Sequence, residues 1–283
     1  MAINAAGVAP VSNNQILFND LQEVLKNSSV LKPLITDYTS KIEVGDISFD
    51  IPRLSGGSAT NRKDDGTAHA DGDMTIAIDK VLLNQHKIVP QYIYDLARQS
   101  TKTDLDMAFL ELAPSSLADL IEQAIYAQIK LASAAAPDHI IQFSGAGNLV
   151  PTIADFYSAA QVLDEAKVPV SDRYCAMTPL MYNSVIQLAE IQAASNYMSN
   201  EAVVKGQFSE IAGFKLVKTN NATAGEIVFW HKTAVGFGMA KSVEFEKQRE
   251  AKYERDFLSL KTSYGMKVLD LGKRSVLFNA TGA

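Results

Sequence analysis

The sequence predicts an α+β fold with a projecting ribbon, and three observations carry the prediction. Residues 91–136 hold apolar side chains at helical spacing over a length that strands do not reach. From Ile211 onward the chain is a succession of segments with strand character. Between an isolated amphipathic stretch near the start and the long helix, residues 41–90 read as two extended arms around a polar tip.

The 283 residues are 47% hydrophobic and 20% charged, with a formal net charge of -6. That is the composition of a soluble globular protein, long enough to bury a sizeable core as one large domain or two modest ones. The single cysteine, Cys175, excludes an intrachain disulfide framework and a Cys-x-x-Cys zinc site. No apolar run approaches the roughly 18 residues of a membrane helix, and the opening MAINAAGVAPVSNN lacks the basic and apolar segments of a signal peptide. A cytoplasmic location without a membrane partner is expected. The acidic balance argues against a general basic face gripping nucleic acid, which needs clustered Lys and Arg.

Residues 13–27 place Leu17, Phe18, Leu21, Val24 and Leu25 on one face of a helix. Lys32-Pro33 and the Thr/Ser/Asp-rich stretch behind it end that pattern, so the helix has no local partner and is expected to dock elsewhere. Residues 41–54 alternate about Gly45-Asp46, a short hairpin signal. Ser55 to Asp73 is rich in Gly and Asp, holds only small apolar residues, and cannot bury enough surface to order itself. Strand character returns over Met74–Val89. Compact domains avoid a tip of this length unless it has a task, so residues 41–90 read as a ribbon that projects.

The helical stretch carries Ile93, Leu96, Leu105, Ala108, Phe109 and Leu112 before Pro114, and Leu117, Leu120, Ile121, Ala124, Ile125 and Ile129 after it. Pro114 removes a backbone donor and is expected to kink or restart the helix, giving one long bent element. Gly145-Ala146-Gly147-Asn148 marks a turn and a domain boundary. A helix over Thr152–Lys167 follows, capped by Thr152 with Asp155 three residues on. Arg173–Met177 reads as a buried strand, and Thr178-Pro179 opens another helix. Residues 192–207 look irregular. Strands are then expected at FKLVKTNN, EIVFWHK, AVGFGMA, SVEFEKQR, FLSLKTSYGMKVLDL and SVLFN.

Catalytic and metal chemistry find little support. His69, His86, His139 and His231 are far apart, and none has the spacing that puts two ligands on one helix face. Asp64, Asp65, Asp71 and Asp73 lack the distal Glu of a hand-type calcium loop, and a solvated polar loop accounts for them. Ser144-Gly145-Ala146-Gly147 has two glycines of a dinucleotide loop without the third. No GxSxG or GxxxxGK(S/T) motif occurs. Cys175, between Tyr174 and Ala176, reads as a core thiol. The chain is therefore expected to be no enzyme and to need no cofactor or metal. Lys241 to Asp256 is more informative, with ten charges, five of each sign, on a strand-like alternation. It is either a solvated edge guarded by charge or an intersubunit seam whose complementary pairs fix register.

The order of these elements resembles the major capsid proteins of tailed bacteriophages with the Hong Kong 97-type fold. GQFSEIAGFKLVKTNN (Gly206–Asn221) is similar to the G-x-x-x-x-I-A-G-F-x-V-x-x-(S/T)-N-N segment of those coats, and RYCAMTPLMYNSVIQ resembles the strand and helix that precede it. AVGFGMAKSVEFEKQRE and YGMKVLD follow as in the family, and YDLARQSTKTDLD resembles the opening of the spine helix. The resemblance covers nearly the whole chain. It implies an N-terminal arm over 1–40, an extended β-hairpin loop over 41–90, a peripheral domain over 91–150 with 236–265, and an axial α/β domain over 151–235 with 266–283.

The resemblance also implies function. Hexamers and pentamers of the subunit would close an icosahedral shell around double-stranded DNA, without sequence-specific binding, after assembly in the host cytoplasm. A separate scaffolding protein is expected because no long extension precedes the arm, together with a portal and a decoration protein. In the family the extended loop lies over an adjacent subunit, which points to Arg53, Arg62, Lys63, Asp64 and Asp65 as polar contacts. Glu244, Glu246, Lys247, Arg249 and Glu250 are the corresponding choices for the peripheral seam. Some members crosslink Lys to Asn between subunits, and Lys63 stands where such a lysine would, although its partner and assisting acid are not assignable. The alternatives are an encapsulin-type shell that stores enzyme cargo and, from another class, an α/β enzyme with an unrecognised site.

Overall fold

In the computed structural model, residues 29–43, 45–56, 74–100, 105–134, 139–145, 151–188 and 210–279 are described. The first of these segments lies on the body of its own subunit. Leu31 and Ile35 enter the core, the Trp230 indole N–H donates to the Leu34 carbonyl at 3.2 Å, and strand β1 (Thr36–Asp37) pairs in parallel with Gly236 and Phe237. Strands β2 (Ser48–Gly56) and β3 (Met74–Leu82) pair only with each other, antiparallel, as a two-stranded ribbon. The chain then enters β4 (Gln85–Tyr94), the short helix α1 (Asp95–Ser100) and the helix α2 (Leu105–Ala134).

Strand β5 (Ile140–Gln142), helix α3 (Ile153–Glu165), strand β6 (Arg173–Met177) and helix α4 (Pro179–Ile186) come next. Five further strands are β7 (Glu210–Ile211), β8 (Phe214–Lys218), β9 (Ile227–His231), β10 (Val235–Glu250) and β11 (Arg255–Val268), with β12 (Ser275–Asn279) last among the described residues. One sheet has the order β1-β10-β11-β4 and the other β5-β12-β9-β6-β8-β7.

The strand period of two assigns each side chain to a core. Along β9, Ile227 and Phe229 join one cluster with Phe156, Phe214 and Phe278, while Val228 and Trp230 join the other with Ile125 and Ile129 of α2. Strands β6 and β9 are buried at every position because helices cover both faces. In α2 the stripe Phe109, Ala113, Leu117, Ile121, Ile125 and Ile129 recurs every four residues and seats the helix on both sheets.

Several expectations hold. The Thr152 backbone N–H donates to the Asp155 carboxylate at 2.8 Å, which fixes the start of α3, and Thr178 Oγ1 accepts from the Met181 N–H at 3.3 Å at the start of α4. Others are corrected. Residues 91–94 end a strand and open no helix, so Ile93 is buried through sheet pairing with Asp256. The hairpin partner of residues 48–54 is β3, not residues 41–44, although Gly45 does turn the chain at φ +106°. Pro114 lies inside α2, which runs through it as the one long element expected. The Ser115 and Ser116 hydroxyls both donate to the Leu112 carbonyl there, at 2.8 and 3.3 Å. Two expected segments, AVGFGMA and SVEFEKQR, are one strand. The stretches 13–27, 57–73 and 192–207 lie outside the described residues.

Candidate functional site

The charge-rich stretch after Lys241 is split by the same period of two. Lys247 and Arg249 point to the face of the four-stranded sheet that carries α1 and α2. There Asp256, with a side chain only 7% exposed, lies 2.8 Å from Arg98, 3.1 Å from Arg249 and 3.4 Å from Lys247. Asp106 of α2 accepts from Arg98 and Lys247, each at 2.6 Å, and Asp95 accepts from Arg249 at 2.6 Å. This network joins the opening of the long helix to the β10–β11 hairpin. On the opposite face Glu244 pairs with Lys241, Glu246 with Lys261, and Glu250 with Arg255 at 2.6 Å. The Arg255 guanidinium stacks 3.9 Å from the Tyr92 ring.

Burial pushes the Asp256 carboxyl up, but the hydrogen bond from Arg249 and the charges of Arg98 and Lys247 overcome it and hold the group below its ordinary range. A carboxyl depressed in the fold contributes stability above its unfolded value, about 3.9, and loses it as pH falls through the folded value. Asp256→Asn is therefore expected to cost about 2 kcal/mol at pH 7, with a smaller gap to the parent at about pH 3. Urea midpoints at the two pH values check this, and a gap that widens in acid contradicts it.

Three glycines seat the ribbon. Gly238 of β10 and Gly265 of β11 are register partners. A Cβ on Gly238 would lie 2.5 Å from Ile42 Cδ1 and 2.8 Å from Phe49 Cε1, and one on Gly265 would lie 2.2 Å from the Leu82 carbonyl oxygen. Gly236 similarly meets Ile51. Strand glycines here permit the close approach of another backbone. Beyond that floor Arg53 pairs with Asp270, and the Asp270 N–H donates to Asp79 at 3.2 Å. Asp270, Leu271 and Gly272 all have positive φ, and these bonds hold the turn. Within the chain, then, Arg53 is paired with Asp270. Arg62, Lys63, Asp64 and Asp65 lie outside the described residues.

Sequence reasoning missed Glu122. It is buried on α2 and accepts from the Val30 and Leu31 backbone N–H groups, the latter at 2.9 Å, and from Asn221 Nδ2 at 3.1 Å. One carboxylate therefore gathers the chain's first described segment, the helix and the Thr-Asn-Asn end of the most family-like motif. A charge amid the apolar α2 stripe was the available signal.

The described histidines stay apart. His86 Nδ1 contacts Ser263 Oγ at 2.9 Å, His139 Nδ1 the Ser275 carbonyl at 2.8 Å, and His231 Nδ1 the Thr233 hydroxyl at 2.8 Å. Cys175 is fully buried, and burial raises its thiol well above the ordinary value. Among the described residues no three His, Cys, Asp or Glu side chains converge as metal ligands, and no helix is long and apolar enough to cross a membrane.

A family model described as phage capsid protein matches residues 117–273, from the middle of α2 to the turn after β11. The chain belongs to the phage capsid protein family. Its function is that of a major capsid protein, a structural subunit of the virion that self-associates into a shell. Solved structures agree on the fold. In the capsid structure of the cyanophage P-SCSP1u, a chain 19% identical covers 90% of this one over 89% of its own length, with a TM-score of 0.72. A chain of Mycobacterium phage Che8 is also 19% identical, with coverages of 90% and 92% and a TM-score of 0.72. A virus-like particle from Pyrococcus furiosus gives 11%, 94%, 99% and 0.61. No curated protein matches the sequence. The mixed helix-and-sheet capsid fold and the coat-protein resemblance are borne out, and the cargo-storing alternative is no better supported.

Proposed function

We propose that this capsid protein assembles as hexamers and pentamers into the icosahedral shell of a tailed phage, enclosing double-stranded DNA without sequence-specific contact. The observation that carries this reading is the ribbon β2–β3, which pairs with neither sheet and is held to its subunit by one face only. A lone two-stranded ribbon is marginal in water and gains stability by contact with something else. In the Hong Kong 97-type arrangement the N-terminal arm covers residues 1–40 and the extended loop 41–90. The peripheral domain covers 91–150 with 236–265, and the axial domain 151–235 with 266–283. The long helix under the four-stranded sheet supports a peripheral unit, and the doubly covered six-stranded sheet supports an axial one.

Glu244, Glu246 and Glu250, with Lys247 and Arg249 behind them, form the peripheral seam. Arg62, Lys63, Asp64 and Asp65 make polar contacts from the loop tip. A separate scaffolding protein, a portal and a decoration protein complete the assembly in the host cytoplasm, and the subunit has no catalytic role. Many modest contacts repeated around the shell make it stable through multivalency. Size-exclusion chromatography and negative-stain microscopy, with any scaffold encoded beside the gene, test this reading. Closed shells, or hexamers and pentamers of the 30.7 kDa subunit, are expected. A monomer unchanged at high concentration would sink it.

A further inference from the structure

The two large sheets are joined by two turns that lie side by side. One is the short turn Lys232–Ala234 between β9 and β10, and the other is residues 269–274 between β11 and β12. The Leu269 N–H donates to the Ala234 carbonyl at 2.9 Å, and Arg274 Nη1 donates to Thr233 Oγ1 at 2.6 Å. Arg274 also reaches one oxygen of the Asp270 carboxylate at 3.3 Å, and the other oxygen holds Arg53 of the ribbon. A chain of polar contacts therefore runs from Thr233, inside the joint, to β2.

His231, the last residue of β9 and only 6% exposed, extends that chain. Its Nδ1 lies 2.8 Å from Thr233 Oγ1 and 3.2 Å from the Thr233 backbone nitrogen. The donors around it dictate its tautomer. A backbone N–H can only donate, so Nδ1 presents its lone pair and the ring proton sits on Nε2. Arg274 likewise only donates, so it takes a lone pair of Thr233 Oγ1 and leaves the hydroxyl hydrogen for Nδ1. As a neutral imidazole, His231 thus caps the turn that links the sheets.

A proton on Nδ1 is incompatible with these contacts. It would set N–H against N–H, orphan the Thr233 amide and force the hydroxyl hydrogen away. Its charge would also meet cations. Arg173 stands opposite His231 in the β6–β9 pairing, Arg274 stands beyond Thr233, and Lys232 is the next residue. Asp164 and Asp270 are already paired with Arg173 and Arg274. Burial and the two guanidiniums push His231 below its ordinary value, against the opposing pull of Asp172 and the Ser171 backbone. A histidine depressed in this way stabilises the fold fully above its unfolded value, about 6.5, and gives up that contribution as pH falls below it. We propose that His231 is a proton-sensitive latch on the joint between the two sheets: neutral, it caps the turn and keeps Thr233, Arg274 and Asp270 in line with Arg53, and protonated, it releases the turn and loosens the ribbon's tie. The latch operates within one chain and stands whether or not shells form.

The test measures amide hydrogen exchange on the unassembled full chain at about pH 7.5 and about pH 5, on either side of the ordinary histidine value, with rates corrected for the intrinsic effect of pH. Between the two, protection of the Thr233 amide is expected to fall roughly tenfold, as for the loss of one turn cap. Protection of the Asp270 amide, which donates to Asp79 of the ribbon, is expected to fall with it. His231→Asn offers an amide oxygen in place of Nδ1 and takes up no proton in this range, so both amides are expected to stay protected at the lower pH. No fall in the parent would overturn the latch. A parallel fall in parent and variant would overturn it too, since the cause would then be a group common to both, such as Asp256. A fall at Thr233 without one at Asp270 would overturn the link to the ribbon. If His231→Asn does not fold, the imidazole titration of the parent followed by NMR decides. A midpoint that coincides with the loss of Thr233 protection supports the latch, and an imidazole that titrates while Thr233 stays protected overturns it.

Discussion

Gly265→Ala is expected to unseat the ribbon and to lower the melting temperature of the subunit by roughly 6–12 °C, equivalent to about 3 kcal/mol. The added methyl carbon would stand 2.2 Å from the Leu82 carbonyl oxygen, 2.8 Å from its carbon and 2.9 Å from Leu83 Cα. All three obstacles are backbone, and the backbone here is held: the Leu83 N–H donates to the Ile47 carbonyl at 2.9 Å and Leu83 is buried. Relief therefore requires that the β3–β4 connection lift off β11, which exposes Val81, Phe49 and Ile51. Gly238→Ala meets only the ends of the Ile42 and Phe49 side chains, which rotate aside, so its cost is expected to be less than half as large. Thermal melts of the two variants give the order, and hydrogen exchange at Leu83 reports the lifting. Equal melts, or unchanged exchange at Leu83 in Gly265→Ala, would show that the floor does not position the ribbon.

The same positions show what the sequence made readable. The four-residue recurrence from Phe109 to Ile129 specified α2 because a helix buried along one stripe has no other pattern. The strand Arg173–Met177 was readable from the short run Tyr174–Met177 behind Arg173, of the kind a doubly covered strand requires. Ile93 was misread because it sits three residues before Leu96, a helical interval. Its environment is instead set by pairing with a strand more than 150 residues away in sequence, which local spacing cannot register. The charges after Lys241 were read together, as a solvated edge or an intersubunit seam. Alternation alone would have divided them, yet which half faces α1 and α2 depends on sheet order. The glycines of AVGFGMA and YGMKVLD leave room for close approach, but nothing local identifies Phe49 and Leu82 as the approaching groups. Of the loop residues chosen for contact, Arg53 is turned inward by strand parity, and two of the exposed pairs of the opposite parity, Pro52 with Ile78 and Leu54 with Ile76, are apolar.

Glu122→Ala is expected to destabilise the subunit by about 3 kcal/mol or more, and Glu122→Gln by only about 1. The difference follows from the donors. Alanine leaves the Val30 and Leu31 N–H groups and the Asn221 amide without their acceptor, and each orphaned donor near the core costs about 1–3 kcal/mol. Glutamine keeps one oxygen for the two backbone donors and presents an NH2 toward Asn221. That clash of donors is relieved when the Asn221 amide turns its oxygen inward, at the expense of a long 3.4 Å bond from Gln123. Leu31, fully buried between α2 and the sheets, then stays in place in the glutamine variant and is released in the alanine variant. Denaturation midpoints give the two costs, and hydrogen exchange at the Leu31 amide separates loss of the anchor from general loosening. If Glu122→Gln proves as damaging as Glu122→Ala, with Leu31 equally unprotected, the negative charge itself is what holds the segment, and acceptor geometry is not.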